Sequence, residues 1–209
     1  MSIADELAQG IAELGLQVSA SVQAKLVDYL ALIAKWNRVH NLTAVRDTQK
    51  MVSVHALDCL AVTPHLKASS VVDVGSGAGL PGIPLALMWP EARVVLLDSN
   101  HKKAAFLRQA AIELGLKNAE VVCARVEAWQ APQKFELVIS RAFSDLAEFV
   151  RLAGNLCAPD GVVAAMKGVF PDEELAQLPP TFKLLRALPL KVPGLGAERH
   201  LILLSPAAA

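Results

Sequence analysis

The chain has no excess of charge of either sign: 20 Lys and Arg balance 20 Asp and Glu over 209 residues. A freestanding nucleic-acid binder is usually basic, so neutrality counts against one while leaving room for a local basic patch. Cysteine is scarce. Cys59, Cys123 and Cys157 lie far apart and form no Cys-x-x-Cys pair. That excludes a disulfide framework or a zinc site and fits a reduced, cytosolic protein, so no metal is expected. No uninterrupted apolar run approaches the roughly 18–20 residues that span a bilayer, so no membrane partner is expected. The N-terminus carries Asp5 and Glu6 and lacks a basic stretch followed by an apolar one. It therefore does not read as a signal peptide, and the expected location is cytoplasmic. Internal repeats and low-complexity segments are also lacking.

What is present is apolar: 54% of residues are hydrophobic and 19% charged, which argues for a folded chain. The length suits one α/β domain with an added subdomain. Residues 1–68 read as a helical extension. Leu26, Tyr29, Leu30, Ile33 and Trp36 recur at helical spacing as one apolar stripe. Asp47 is a candidate N-cap for a following helix along which Met51, Val54, Leu57 and Ala61 align. From residue 69 to 209 the rhythm alternates. Strands are predicted at Val71–Val74, Arg93–Leu97, Glu120–Cys123, Glu136–Ser140 and Gly161–Met166. Helices are predicted at Pro81–Trp89, Asn100–Gly115 and Leu146–Leu156. This pattern implies a mostly parallel sheet covered on both faces. Phe182–Leu190 and His200–Leu204 both look extended, and the Pro193-Gly-Leu-Gly196 link between them leaves no room for a crossover helix. They should form a C-terminal hairpin with one antiparallel strand. The terminal Pro206-Ala-Ala-Ala is expected to fray.

The most telling stretch is Val71-Val-Asp-Val-Gly-Ser-Gly-Ala-Gly-Leu-Pro-Gly82. A β-branched run ends in a glycine turn and then in Pro81, a residue favoured in a helix's first turn. Strand, glycine turn and helix start are the layout of a nucleotide-binding βα unit. Gly77-Ala-Gly-Leu-Pro-Gly82 formally matches the dinucleotide G-x-G-x-x-G, a weak signal alone. If the strand ends at Val74, the turn reads Asp73-x-Gly75-x-Gly77-x-Gly79. A carboxylate at Asp73 would repel a pyrophosphate but favour the sulfonium and ammonium of S-adenosylmethionine (SAM). The expected C-terminal hairpin points the same way, so the reading favours SAM over a dinucleotide. Asp73 either sits near the SAM amino group or fixes the turn through backbone N–H groups. Asp98, at the end of the second strand, is placed to accept both ribose hydroxyls, the alternative being a helix N-terminal acid.

The sequence also resembles a known family. The matching residues are Trp36-Asn37, His40-Asn-Leu-Thr43, His55-x-x-Asp58, Asp73-Val-Gly-Ser-Gly-Ala-Gly-Leu-Pro-Gly-Ile-Pro84, Ser140-Arg-Ala-Phe143, Lys167-Gly168 and Glu198-Arg-His200. They resemble, in order and over nearly the whole chain, the bacterial 16S rRNA guanine-N7 methyltransferases (RsmG, formerly glucose-inhibited division protein B). The resemblance implies a class I SAM-dependent methyltransferase (Rossmann-like) fold with an N-terminal helical extension. It implies cofactor contacts at Gly75, Leu80, Val126, Glu127 and Arg141; the turn glycines Gly77 and Gly79 and the acid Asp98 join them from the residue pattern. Glu127 could instead pair with Arg125, and Arg141 with Asp145. Cys59 stands where the family usually has serine, so the small size is kept and the hydroxyl lost.

The implied substrate is 16S rRNA, within the small ribosomal subunit or an assembly intermediate, and a monomer is expected. Guanine N7 carries an in-plane lone pair and no hydrogen, so its methylation needs placement and no general base. Arg141, Lys167 and Arg199 are candidates to grip phosphate or a base edge. His55 and Asp58 share a helix face; anchoring of the helical extension is favoured over a catalytic pair. Trp36 is expected in the core. Lys35, Arg38, His40, Arg46 and Lys50 form a candidate basic patch. The competing classes are a small-molecule or protein methyltransferase, an NAD-dependent oxidoreductase and a non-enzymatic SAM-binding regulator.

Overall fold

The computed structural model describes residues 1–143 and 145–207. Helices α1 (Ile3–Glu13) and α2 (Ala20–His40) open the chain. Ser2 caps α1 through a capping box with Asp5, and Ser19 caps α2. The next helical segment is not a plain α-helix. Asp47 caps α3 (Thr48–Met51), a π-helical stretch follows over Val52–Leu57, and α4 (Asp58–Leu60) ends the segment. The apolar alignment from Met51 to Ala61 marks the segment but not this change of winding.

The remainder is β1 (Ser70–Val74), α5 (Gly82–Met88), β2 (Arg93–Asp98), α6 (His101–Glu113), β3 (Ala119–Cys123) and β4 (Phe135–Ser140). It continues as α7 (Leu146–Ala153), β5 (Cys157–Lys167), α8 (Asp172–Ala176), β6 (Phe182–Pro189) and β7 (His200–Pro206). The sheet order is β3-β2-β1-β4-β5-β7-β6. All pairs are parallel except those of β7, which runs antiparallel to both β5 and β6. The expected hairpin is therefore present.

Alternate strand residues feed two apolar layers. Val71, Leu96, Ile139, Met166 and Leu203 face the side covered by α1, α2, α5 and α6. Val72, Leu97, Val138, Ala165 and Leu204 face α7. This period-two alternation buries both faces of the sheet.

Several boundaries differ from the sequence reading. β5 begins at Cys157, four residues before Gly161, because Cys157 already pairs with Phe135 across a bulge. Pro159, Asp160 and Gly161 disguise that start as a turn. Helix α8 was not expected; its five residues carry no buried side chain, so it has no apolar stripe to read. Of the tail expected to fray, Pro206 belongs to β7 and the Ala207 amide donates to the Thr181 carbonyl at 2.8 Å. The last two residues of that tail lie outside the described range. No helix among the described residues is long and apolar enough to cross a membrane.

Candidate functional site

The chain steps outward from β1 to β3 and then returns to place β4 on the other side of β1. Open α/β sheets bind ligands at such a switch point, beyond the carboxyl ends of the strands. The glycine turn leaves β1 there. Gly75, Gly77 and Gly79 all have positive φ (71°, 60° and 89°), a region that L side chains rarely adopt. The amides of Gly75 and Ser76 both donate to the Leu97 carbonyl, tying the turn to β2. The Tyr29 hydroxyl, buried in α2, donates to the Ala78 carbonyl.

Asp73 is wholly buried behind the turn. Its Oδ2 accepts from Ser76 Oγ and from the Gly82 amide, while Oδ1 has no partner among the described residues. Burial pushes its carboxyl up to about 6, against the pull of those two bonds. Of its two sequence readings, turn fixation is what these bonds build. Asp98 accepts from the Gly77 amide through Oδ2 and from the Asn100 amide through Oδ1, both at 2.8 Å. Each oxygen keeps a lone pair for a further donor. The carboxylate itself does not cap α6; Asn100 does.

Three cavities run together along this edge. One of about 330 Å³ is lined by Gly75, Asp98, Val126, Glu127, Phe143 and Leu152. A second, of about 160 Å³, lies over Gly75, Gly77, Leu80, Leu42, Thr43 and Arg141. The third, of about 370 Å³, is bounded by Thr43, His55, Asp58, Arg141, Lys167 and Arg199. Gly75 joins the first two, and Thr43 and Arg141 join the second to the third. All but one of the sequence-predicted site residues thus line one continuous groove. Gly79 is the exception; a Cβ there would meet Ile83 Cδ1 at 2.5 Å, so it serves close packing of the turn. A cavity of about 550 Å³ opens at the opposite ends of the strands, beside Trp89 and Glu136. Both Glu136 oxygens are taken there by Ser69, so size alone does not mark a site.

The third cavity is organised around Asp58, which has 0% exposure. Its Oδ2 accepts from Arg141 Nη1 and its Oδ1 from Arg199 Nε, each at 3.0 Å. Arg141 therefore pairs with Asp58 and not with Asp145, which caps α7 by accepting from the Glu148 amide. Arg199 is half-buried and paired, no solvated surface charge. Lys167 pairs with Glu174 of α8 at 2.7 Å. The alternative pairing for Glu127 does occur, at 3.8 Å to Arg125, between exposed side chains, where such pairs are worth little.

His55 is buried, with Nε2 3.0 Å from Thr43 Oγ1 and Nδ1 unpartnered among the described residues. Burial pushes its imidazole down to about 4, with the Arg141 charge adding to the effect, so it is neutral near pH 7. Asn37 shapes the loop that carries Thr43. Its side chain donates to the Val45 carbonyl and accepts from the Thr43 amide, both at 3.0 Å. In the sequence, Asn37 and Thr43 stand out only as parts of motifs and Tyr29 only as a member of an apolar stripe. For Tyr29 the available signal was a buried hydroxyl, which needs a partner. Trp36 packs edge-on against Phe106 of α6, its ring centroid 5.6 Å away, as expected of a core residue.

The profile of the rRNA small subunit methyltransferase G family matches residues 22–202. The chain belongs to this family. It is 60% identical to the ribosomal RNA small subunit methyltransferase G of Nitrosospira multiformis, covering 99% of each chain. It is 57% identical to the protein of that name from Laribacter hongkongensis, over 97% of this chain and 98% of the relative. Among solved structures, the glycopeptide N-methyltransferase MtfA complexed with S-adenosyl-L-homocysteine superposes with a TM-score of 0.63 at 11% identity. That match covers 73% of this chain and 88% of MtfA. The mitomycin 7-O-methyltransferase MmcR gives 0.62 at 16% identity, over 76% of this chain and 56% of that one. The fold is that of class I SAM-dependent methyltransferases, with the antiparallel strand at the C-terminal side of the sheet.

The residues of this family member fit SAM. A side chain at Gly77 would meet only the Gly75 carbonyl, at 3.8 Å, so backbone there is open to a ligand. Asp98 offers two oxygens to a ribose, and Val126, Phe143 and Leu152 offer apolar surface to an adenine. Arg141 stands at the far end of the second cavity, within reach of a carboxylate.

Proposed function

We propose that this chain methylates N7 of a guanine in small-subunit (16S) ribosomal RNA, with SAM as methyl donor. One observation carries the choice of acceptor atom: the third cavity holds cations and no unpaired carboxylate among the described residues. Asp58 is shared by two arginines and Glu174 is held by Lys167. His55 is a weak base tied to Thr43. An amine or hydroxyl acceptor would have to lose a proton here; guanine N7 does not. SAM supplies an electrophilic methyl on a sulfonium, which the in-plane N7 lone pair takes without proton transfer.

In this reading Gly75, Gly77 and Leu80 hold the cofactor at the turn that Gly79 packs closed, and Asp98, Val126 and Glu127 hold its adenosine. Arg141 spans cofactor and acceptor. Lys167 and Arg199 position the RNA. The helical extension, residues 1–68, supplies the wall of the acceptor cavity to the methyltransferase domain, residues 69–209. Exposed Lys35, Arg38, Arg46 and Lys50 flank the loop that bears Thr43 and Val45. On a neutral chain this patch gives a small footprint, so the protein acts as a cytoplasmic monomer that relies on the folded subunit, or an assembly intermediate, for specificity.

The test uses purified protein, methyl-labelled SAM and small subunits from cells lacking this protein. Label on 7-methylguanosine at one mapped position is expected, with intact subunits methylated faster than naked RNA. Label on any other atom, or none, overturns the reading. Equal rates on both substrates overturn the reliance on the folded particle.

A further inference from the structure

We infer that Asp58 is a positioning residue that presents Arg141 and Arg199 as a two-guanidinium fork for one phosphodiester of the RNA. The inference rests on the proposed reaction and names what its acceptor cavity holds beside the guanine.

The fork is built from three distant parts of the chain. Asp58 opens α4, Arg141 follows β4, and Arg199 precedes β7. One wholly buried carboxylate takes one N–H from each guanidinium, at 3.0 Å each. Two further bonds fix the guanidinium planes: Arg141 Nη1 donates to the Val54 carbonyl at 2.9 Å and Arg199 Nη1 to the Glu198 carbonyl at 2.8 Å.

The first of these explains the π-helical stretch. In an α-helix the Asp58 amide would donate to the Val54 carbonyl, four residues back. Here it reaches the Ser53 and His55 carbonyls. The Val54 carbonyl instead receives Arg141, and a π stretch of this kind often marks a functional position.

Charge then sets the ligand. Arg141, Arg199 and Lys167 line the cavity beside a single carboxylate, Asp58, with Glu174 pairing Lys167 from outside that lining, so the cavity is net positive. A phosphodiester is the RNA group such a cavity suits. Arginine side chains carry five N–H donors each, so both keep donors for phosphate oxygens after serving Asp58. A surface ion pair would not need a carboxylate shielded from water. A carboxylate that sets the angle between two cations does.

Asp58→Asn separates the possibilities, because it keeps the shape and raises the cavity's positive charge. Positioning predicts that kcat on small subunits falls at least tenfold while affinity for the subunit holds or rises. Arg199→Lys, which keeps the charge and loses the fork, should show the same split, and it serves if Asp58→Asn does not fold. In Arg199→Lys, whose side chain lines the acceptor cavity and neither cofactor cavity, SAM affinity read by calorimetry should stay within about threefold. A kcat within threefold of wild type, or a loss of subunit affinity that accounts for the whole rate loss, overturns the inference. Failure of the wild-type chain to methylate N7 would instead overturn the proposed function.

Discussion

His55 and Asp73 are both buried and uncharged-leaning, yet they push acid stability in opposite directions. The His55 imidazole titrates near 4 in the folded chain and near its ordinary 6.5 when unfolded. Its contribution is present above pH 6.5 and is lost as pH falls towards 4, because the unfolded chain takes up the proton first. The Asp73 carboxyl titrates near 6 when folded against 3.8 when unfolded. Its contribution is present below pH 3.8 and is lost as pH rises through 6. Between pH 4 and 6 the two offset one another. Urea unfolding of His55→Gln should therefore show a shallower loss of stability than wild type from pH 6.5 to 4. Asp73→Asn should show a steeper one. Parallel curves for wild type and both variants would remove this assignment. The same burial keeps the Cys59 thiol far above its ordinary range, so the cysteine at this position behaves as an inert small side chain.

At the scale of the element, the start of α5 depends on one missing side chain. A Cβ at Gly82 would meet Leu96 Cδ2 at 2.3 Å, Asp73 Oδ2 at 2.7 Å and Asp73 Cβ at 2.9 Å. The Gly82 amide also donates to that same carboxylate. Gly82→Ala should cost about 1–3 kcal/mol in unfolding free energy, as overpacking does, and weaken SAM binding more than tenfold by shifting the turn. Equal SAM affinity in a destabilised variant would show that the turn tolerates the shift. This element was legible in the sequence because its signals are local: β-branched run, glycines and helix start lie within a dozen residues. The same holds for the strands that alternate with helices, and for Asp98 at a strand end. The π stretch was not legible, since its apolar residues still align at roughly helical spacing and its cause, Arg141, lies 87 residues away from Val54. Nor was the Asp58–Arg199 pair, separated by 141 residues. A sequence names such residues singly; only the fold shows which of them share one hydrogen-bond acceptor.

The whole molecule is where the division between residues 1–68 and 69–209 meets its physical test. Leu7, Leu26, Tyr29, Leu30, Ile33 and Leu57 from the helices share one buried cluster with Ile83, Leu96, Phe106, Ile139 and Met166. Burial on this scale, at about 25 cal/mol per Å² of apolar surface, is what a domain lives on. Removing the helices would bare that face of the sheet. It would also strip Ala78 of the Tyr29 hydroxyl and leave Arg141 and Arg199 without Asp58. The apolar surface so bared weighs against the roughly 5–15 kcal/mol that holds a domain together. The fragment 69–209 should therefore lack a cooperative unfolding transition, lose near-ultraviolet dichroism and bind a hydrophobic dye, with SAM binding abolished. Adding residues 1–68 as a separate chain should restore at least part of the transition if the interface is the whole cause. A fragment that unfolds cooperatively and binds SAM like the full chain would make the helices an appendage. The helices supply part of one of the two core clusters and one wall of the acceptor cavity, so the boundary at residue 68 is expected to divide the sequence and not the folding unit.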